Sequence, residues 1–408
     1  MASNVCIVGG GPAGMMFGYL LARAGVPVTV LEKHADFFRD FRGDTIHPST
    51  LELLYELKLL DKFLALPHSR IETLSINMGG RSLPLPDFTH LPVHARYIAL
   101  MPQWDFLNFL SAEAKKFPTF RLLMNTEAVD LITQPTPHGS IVTGVRANTP
   151  QGAIEIPADL TVGCDGRHAT SRAAAHLPLV DEGVPIDVLW FRLARQPDDP
   201  DNALGYIDRG RMMILINRVD YFQCGYIIRK GDFEAIQRRG LAAFRSDIEE
   251  LVPFLNNRTA ELDSFDKVKL LTVQVNHLTR WAIPGLLCIG DAAHAMSPVG
   301  GIGINIALQD AVAAANILYN PLLRGDLTLH DLLAVQTRRA GAVRNTQRFQ
   351  VFAHSVVNRV LGNPKPMHAP LWLRAASATP MIRNAMGRFI GMGLQPEHVQ
   401  TPDHFATP

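Results

Sequence analysis

A glycine-rich turn near the N-terminus limits the possible folds of this chain more than any other feature. Residues 9–14 read Gly-Gly-Gly-Pro-Ala-Gly, which fits the pattern G-x-G-x-x-G. The turn follows a β-branched run at Val5–Val8 and precedes an apolar helical stretch at 15–23. A second β-branched run lies at 26–31. This order of strand, glycine turn, helix and strand predicts the first βαβ unit of a dinucleotide-binding domain.

Each position of the turn has a physical reason. Gly9 permits the tight bend, Gly11 lets the backbone approach a pyrophosphate, and Gly14 lets the helix pack closely on the sheet. The first helical turn, with Pro12 and Ala13, offers free N–H groups and the positive end of the helix dipole to phosphates. We therefore predict that these five residues contact a dinucleotide.

The second strand of this unit ends in Glu32-Lys33, 18 residues beyond Gly14. A carboxylate at this position can accept hydrogen bonds from ribose hydroxyls and disfavours a 2′-phosphate. We predict that both residues lie at the adenosine part of the ligand. These motifs do not by themselves distinguish NAD from FAD.

The second half of the chain favours FAD. Residues 286–289 predict a strand, which runs into Gly290-Asp291, and a second glycine-rich helix start follows at 298–305. The Asp291 carboxylate can bind the hydroxyls of a ribityl chain. The second helix start can stabilise negative charge on a reduced flavin through free N–H groups and the helix dipole. Two such sites suit a ligand long enough to reach from one to the other.

Together these residues resemble the class A FAD-dependent aromatic monooxygenases, the family typified by p-hydroxybenzoate hydroxylase. The resemblance covers most of the chain and rests on three motifs in order: the turn at 9–14, Asp165-Gly166, and Gly290-Asp291 with its continuation. It implies an α/β fold. A Rossmann-type FAD-binding domain would carry an inserted antiparallel-sheet substrate domain and C-terminal helices.

The resemblance also assigns cofactor contacts. Asp291 would contact the ribityl chain, Val129 would meet the adenine through backbone atoms, and Asp165 would serve both the flavin and a passing nicotinamide. Arg42 and Gln103 would reach FAD from a loop and from near its ribityl or ribose region. The residues expected to flank the isoalloxazine are Pro298, Gly300, Gly301, Gly303, Ile304 and Asn305.

Three of these assignments have open alternatives. Asp165-Gly166 can be an ordinary strand-ending turn. Arg42 can pair with a neighbouring aspartate on the surface. Gln103 can merely lead into a helix cap at Asp105. We also expect a capping box at Ser49 and Glu52.

The middle of the chain differs from both ends. Short segments rich in β-branched and aromatic residues, separated by turn signals, predict an antiparallel sheet with hairpin turns at 209–210 and 219–220. The later helices are predicted at about 301–318 and 329–361. We expect a discontinuous FAD-binding domain, a substrate-binding sheet domain and a C-terminal helical region. The FAD-binding domain would comprise residues 1–70, 101–180 and 276–330. The sheet domain would comprise 71–100 and 181–275, and the helical region 331–408.

The resemblance implies a reaction. NAD(P)H, as a transient co-substrate without its own Rossmann domain, would reduce FAD, and O2 would give a flavin C4a-hydroperoxide that hydroxylates an electron-rich ring. A dry chamber would protect that intermediate. Two alternatives remain open: a dehydrogenase or reductase on the same fold, and a non-catalytic flavoprotein that binds a hydrophobic ligand. The sequence does not choose NADH or NADPH.

The substrate is predicted from one hairpin. The run at 212–216 has no charged residue on either face, and the run at 221–228 offers only Gln223 and two tyrosine hydroxyls. A buried carboxylate would lack a partner there, so we expect a largely apolar aromatic substrate and not a small benzoate. Arg192 is the main exception. The candidate contacts are Thr45, Arg192, Tyr206, Met213, Leu215, Gln223 and Tyr226.

Other functions find little support. With 39 Lys and Arg against 38 Asp and Glu, no global charge favours nucleic acid. The four cysteines lack metal or redox spacing, so we expect no metal. We expect a cytoplasmic monomer or homodimer without a transmembrane segment. The basic stretch at 372–394 should pack on the domain, with a membrane or partner as the alternative. His47 and His294 are candidates for proton transfer, although no catalytic residue is assigned.

Overall fold

The structure is a computed structural model that describes residues 2–38, 45–137, 139–200, 203–218 and 220–406. The strands in chain order are β1 (Val5–Val8), β2 (Val28–Leu31), β3 (Thr45–Ile46), β4 (Ser69–Ile71), β5 (Thr73–Met78), β6 (Arg81–Asp87), β7 (Ile98–Leu100), β8 (Phe120–Leu123), β9 (Glu127–Thr136), β10 (Gly139–Thr149), β11 (Gly152–Pro157), β12 (Leu160–Gly163), β13 (Leu179–Asp181), β14 (Ile186–Ala194), β15 (Ala203–Asp208), β16 (Arg211–Asn217), β17 (Tyr221–Arg229), β18 (Lys269–Leu271), β19 (Asn276–Leu278), β20 (Ala282–Ile283), β21 (Leu286–Cys288) and β22 (His294–Ala295). The α-helices are α1 (Pro12–Arg23), α2 (Pro48–Glu56), α3 (Leu60–Leu64), α4 (Gln103–Ala114), α5 (Thr170–Ala174), α6 (Phe233–Arg239), α7 (Leu241–Leu251), α8 (Gly303–Arg324), α9 (Leu329–Leu361), α10 (Leu371–Ala378) and α11 (Pro380–Met392).

A six-stranded sheet contains all three predicted motifs. Its strand order is β20-β21-β12-β1-β2-β8, and every pair is parallel except β20 with β21. The strands β1, β12 and β21 are short and fully buried, as expected for parallel strands covered on both faces. Because the carboxyl ends of parallel strands share one edge, the residues after β1, β12 and β21 meet there. This confirms the predicted Rossmann-type α/β fold.

A seven-stranded sheet forms the second layer, in the order β18-β14-β17-β16-β15-β5-β6. The hairpin turn predicted at 209–210 is confirmed: Asp208 pairs with Arg211 across it, and Arg209 and Gly210 both have positive φ. The turn predicted at 219–220 includes residue 219, which lies outside the described residues. One expectation is corrected, because β15 and β5 pair in parallel. These strands are far apart in sequence, so no hairpin fixes their direction.

The large sheet has two faces with different neighbours. One, which we call the helix-covered face, packs against Phe244, Ile248 and Leu251 of α7. The other, the inner face, carries Trp190, Ile214, Ile216 and Ile227 and packs against β7, α9 and α11. The side chains of the helix-covered face are Leu189, Phe191, Leu193, Tyr206, Met213, Leu215, Phe222, Cys224, Tyr226 and Ile228.

The inner face lies toward the flavin motifs. It packs against β7, which pairs with β3, and against α9, whose Gln350 donates hydrogen bonds to the carbonyls of Ser297 and Val299. These elements connect the inner face to the glycine-rich segment at 298–305. The division into three regions stays a prediction, with β7 belonging to a small sheet with β3 and β4.

The C-terminal half contains the longest helices. The predicted bounds of α9 are confirmed, whereas α8 runs further than expected, to Arg324. The segment Val299–Arg324 has the length and composition of a membrane span, but 72% of its apolar window is buried in the protein. There α8 contacts α1 and α9, so we interpret α8 as a core helix. The expected capping box at Ser49 is wrong: α2 begins at Pro48 after His47, and Glu52 instead binds His94.

Candidate active site

The turn after β1 has the geometry that dinucleotide binding requires. Gly9 has φ +106°, and a Cβ there would lie 2.5 Å from the carbonyl oxygen of Cys164. A Cβ on Gly14 would lie 2.0 Å from the carbonyl oxygen of Gly9. A Cβ on Gly11 would meet nothing within 4 Å. Gly9 and Gly14 are therefore required by the protein's own packing, whereas Gly11 faces open space that a ligand can fill.

The start of α1 also fits a phosphate ligand. Gly11 is its N-cap and Pro12 its first residue, so no side chain caps the helix. Ala13 and Gly14 are buried at this uncapped start. N–H groups at a helix start need partners, and phosphate oxygens are suitable ones. The predicted pyrophosphate position is thus chemically consistent with the structure.

Glu32 lies beside this turn. Its Oε2 accepts a hydrogen bond from the Gly10 N–H at 3.2 Å, and its Oε1 accepts one from the His34 N–H at 3.0 Å. These contacts hold the carboxylate against the glycine turn, where adenosine ribose hydroxyls are expected. Lys33 is exposed next to it.

The loop of Gly290 lies between α1 and α8. A Cβ on Gly290 would lie 3.1 Å from Ala13 of α1 and 3.2 Å from Ala307 of α8. The loop that carries Asp291 is therefore held between the two glycine-rich helix starts. One extended ligand can contact both starts and Asp291, as predicted for FAD.

The second glycine-rich segment is braced by β3 and α2. Gly300 and Gly301 have positive φ, and a Cβ on Gly301 would lie 2.4 Å from the Thr45 hydroxyl oxygen. Thr45 donates a hydrogen bond to the Gly301 carbonyl at 3.0 Å. Asn305 accepts from the His47 N–H at 3.0 Å and from the Thr50 hydroxyl at 2.7 Å. Pro298, Gly303 and Ile304 complete the segment, which opens α8 without a side-chain cap.

Asp165 supports the helix that follows it. The backbone N–H and hydroxyl of Ser171 donate to its carboxylate at 2.9 and 2.6 Å. Burial raises the pKa of Asp165 despite these hydrogen bonds. Arg172 next to Ser171 donates to the carbonyls of Asp291 and Ala292. The Asp165-Gly166 (DG) and Gly290-Asp291 (GD) motifs are thereby connected through α5.

His294 belongs to a buried ionic network. Its Nε2 lies 2.6 Å from Oδ2 of Asp310, which also accepts from the Gly290 N–H at 3.2 Å. Arg339 donates to the other Asp310 oxygen at 3.0 Å and to Glu397 at 3.1 Å. Burial opposes the charge on Asp310, but His294 and Arg339 hold its pKa below the usual value. His294 therefore fixes the GD loop, and its candidacy for proton transfer is not favoured.

His47 is neutral in the folded protein. Burial lowers its pKa to about 4, and its Nδ1 lies 2.8 Å from the Ile390 carbonyl. Because a carbonyl only accepts, Nδ1 carries the proton and Nε2 does not. This side chain is a possible proton acceptor close to the glycine-rich segment, and its catalytic role stays a prediction.

The remaining cofactor predictions differ in their support. Val129 falls at a register shift, because Asp130 pairs with Arg146 while Ala128 pairs with Ala147. Its backbone is thus outside the regular ladder, and its contact with adenine stays a prediction. Gln103 is the first residue of α4 after the N-cap Pro102, so the alternative cap at Asp105 is wrong. Arg42, with Asp40 and Asp44, lies outside the described residues.

Four predicted substrate contacts lie on the wrong face. Tyr206, Met213, Leu215 and Tyr226 belong to the helix-covered face and pack with α7, so they cannot line a chamber beside the flavin motifs. Because side chains alternate along a strand, Met213 and Leu215 lie on the face of the sheet opposite to that of Ile214. The sequence does not show which of the two faces a helix covers.

Two predicted contacts and one missed arginine lie on the inner face. Gln223 pairs across the strands with Arg192, whose guanidinium lies 4.9 Å from the Tyr221 ring centroid. Gln223 accepts from Arg218 at 3.3 Å. Arg218 lies two residues beyond Ile216, so strand periodicity could have identified it. The expectation of an uncharged wall is therefore corrected: its end near Gln223 contains the guanidinium groups of Arg192 and Arg218.

The rest of the inner face is apolar and closely packed. A Cβ on Gly225 would lie 2.8 Å from Ile214 and 3.0 Å from Trp190. Gly225 thus allows these two side chains to close over the strand. Other residues that sequence reasoning missed are Arg172, Asp310 and Arg339, because no motif marks a residue whose partners are distant in sequence.

Fold and site define a flavoprotein with an FAD-binding Rossmann domain and a sheet over the flavin motifs. A model of the FAD binding domain family matches residues 2–349. The 6-methylpretetramide 4-monooxygenase of Streptomyces rimosus is 32% identical over 395 residues, which cover 95% of this chain and 91% of that protein. The uncharacterized aromatic compound monooxygenase YhjG of Bacillus subtilis strain 168 is 24% identical over 313 residues, covering 76% of this chain and 60% of that longer protein.

Solved structures agree on the fold. The p-nitrophenol 4-monooxygenase PnpA of Pseudomonas putida DLL-E4 has a TM-score of 0.74 at 18% identity, covering 96% of this chain and 94% of that one. The anhydrotetracycline hydroxylase OxyS of Streptomyces rimosus has a TM-score of 0.73 at 20% identity, covering 96% and 76%. The chain belongs to the FAD binding domain family and, within it, to the class A FAD-dependent aromatic monooxygenases.

Proposed function

We propose that this protein uses NAD(P)H and O2 to hydroxylate a largely apolar, multi-ring phenolic substrate. The observation that carries the substrate class is the inner face, where Trp190, Ile214 and Ile216 form an apolar wall and Gln223 and Arg218 form a polar end. A ring system with one oxygen-bearing edge matches this division. Names of relatives support the class, since they specify 6-methylpretetramide, anhydrotetracycline and angucycline biosynthesis.

The chain's own residues prepare the cofactor. Gly11 and the uncapped start of α1 would bind the pyrophosphate, Glu32 the adenosine ribose, and Asp291 the ribityl chain. When bound, FAD would supply hydride acceptance from NAD(P)H and oxygen transfer to the substrate. The start of α8 would stabilise negative charge on the reduced ring.

The inner face would then orient the substrate and exclude water. Trp190 and Ile214 close over Gly225, which keeps solvent from the apolar part of the chamber. Gln223, held by Arg218, would orient the phenolic oxygen. His47, neutral at physiological pH, is placed near the glycine-rich segment and could accept a proton there.

A substrate screen tests this proposal. Purified protein would be supplied with NADH or NADPH and a panel of multi-ring phenols and simple hydroxybenzoates, with oxygen uptake and product mass measured. We expect stimulated uptake and a product heavier by one oxygen atom with the larger phenols. Hydroxylation of a simple hydroxybenzoate that Arg192→Ala abolishes would contradict the substrate class. Turnover without oxygen incorporation would instead favour a dehydrogenase or reductase.

A further inference from the structure

The C-terminal helical region has an unusual charge. Residues 332–396 contain no Asp or Glu. The chain as a whole is nearly neutral, with 39 Lys and Arg against 38 Asp and Glu, so the remainder is net acidic. Several of the basic side chains in this region are exposed: Arg344, Arg348, Arg359, Lys365, Arg374 and Arg388. The segment 332–396 therefore carries a net positive charge.

Bulky apolar side chains protrude from the same region. The helix α10 begins with Leu371 and Trp372, which are 78% and 70% exposed. The next helix, α11, begins at Pro380 and continues with Met381, which is 80% exposed, and Ile382. The helix α10 has eight residues and a length of about 12 Å, so the two apolar pairs lie at helix starts separated by about that length.

These helices are held firmly with their apolar pairs outward. A Cβ on Gly387 would lie 1.9 Å from the Asp87 carbonyl oxygen, so α11 packs directly on β6. Arg383 binds the Asp87 carboxylate at 2.8 Å, and Ser377 and Gly391 are buried. The exposure of the apolar pairs is thus a consequence of how the opposite side is docked.

The apolar surface extends onto α9. Phe349, Phe352 and Val356 are exposed at i, i+3 and i+7, which is one face of a helix. The ring of Phe349 contacts that of Phe389 on α11, with centroids 4.8 Å apart. We call this combined surface of α9, α10 and α11 the basic apolar surface.

We propose that the basic apolar surface docks on an anionic phospholipid membrane. A membrane surface of anionic lipids matches both features, since it attracts Lys and Arg and accepts Trp, Leu and Met at the level of the headgroups. A second copy of the chain fits less well, because a two-fold interface would place this basic surface against itself. Exposed apolar patches rimmed by polar residues commonly mark sites of interaction with a membrane or a partner.

Vesicle binding of the FAD-loaded full chain tests the proposal. Sedimentation would be compared on phosphatidylcholine vesicles with and without phosphatidylglycerol. We expect binding that is at least about tenfold stronger with the anionic lipid and that weakens at high salt. We also expect a blue shift of Trp372 fluorescence, which Trp372→Phe removes while binding is retained.

Matched variants locate the contact. The double variant Leu371→Ser/Met381→Ser should lose most of the binding, whereas Val180→Ser/Leu270→Ser, at exposed apolar positions on β13 and β18, should keep it. Three outcomes would overturn the proposal: no binding to either vesicle, equal binding to both vesicles, or equal loss in both double variants. A dimer in solution that Leu371→Ser/Met381→Ser dissociates, without vesicle binding, would assign the surface to a second copy.

Discussion

The cofactor region and the inner face of the large sheet, for which we propose roles in one reaction, are built in different ways. In the cofactor region, function depends on backbone approach, so glycine stands where a Cβ would collide or would fill the ligand's space, as at Gly14 and Gly11. On the inner face, the proposed substrate contacts depend on which side of a strand faces the flavin motifs. Neighbouring residues such as Ile214 and Leu215 then have different roles. A backbone requirement is visible in the sequence as a glycine. Which side of a strand is covered by a helix depends instead on packing between segments that are distant in the sequence.

The largest expected effects are on FAD binding in Gly11→Val and on folding in Gly14→Val. Gly11→Val should fold normally but bind FAD at least about a hundredfold more weakly, because its side chain occupies open space beside the predicted pyrophosphate. Gly14→Val should fail to reach the folded state, since its Cβ would meet the Gly9 carbonyl. Flavin absorbance and circular dichroism of both variants check this. A folded Gly11→Val protein with full flavin occupancy would refute the placement.

The second prediction concerns the buried ionic network of Asp310, which no sequence motif marks. Asp310→Ala leaves His294 and Arg339 without their shared buried partner. Such a break costs about 3–5 kcal/mol, so we expect a markedly lower melting temperature and weaker FAD binding through the Gly290 loop. Asp266→Ala, at an exposed carboxylate, is the control. Unchanged melting of Asp310→Ala would mean that the network is not formed.

Much of the cofactor region could be predicted and much of the substrate wall could not. The glycine turns, Glu32 and Asp291 were placed from local pattern because each needs only its own neighbours in sequence. Tyr206 and Tyr226 were placed wrongly because the position of α7 decides which face is covered. Arg339 was missed because its partners, Asp310 and Glu397, are distant in the chain.

The third prediction tests the two faces directly with adjacent residues of one strand. Leu215→Ala should destabilise the protein by about 2–5 kcal/mol while leaving the ratio of product formed to NAD(P)H consumed unchanged. Ile214→Ala, on the inner face, should have a smaller effect on stability and lower that ratio, because water gains access to the chamber. Urea unfolding and product analysis measure both. A lower product ratio in Leu215→Ala and an unchanged one in Ile214→Ala would mean that the helix-covered face, and not the inner face, contacts the substrate.

The smallest effect concerns His47, where the two regions meet. Folding lowers its pKa from 6.5 to about 4, so between these values the unfolded chain binds more protons than the folded one. The free energy of unfolding should therefore fall as pH decreases from about 6.5 toward about 4, by up to about 3 kcal/mol. His47→Gln should reduce this slope, and His90→Gln, at an exposed histidine, should not. Equal slopes in wild type and His47→Gln would contradict the neutral assignment.

Turnover with labelled oxygen shows whether this protein transfers an oxygen atom to its substrate. The FAD-loaded protein would turn over a multi-ring phenol with NADH or NADPH under ¹⁸O2, and the product mass would be measured. We predict one ¹⁸O atom in each product molecule, with oxygen uptake that depends on the substrate. Substrate-independent uptake that yields only hydrogen peroxide, or a product without the label, would show that this protein is not a monooxygenase for this class of compound.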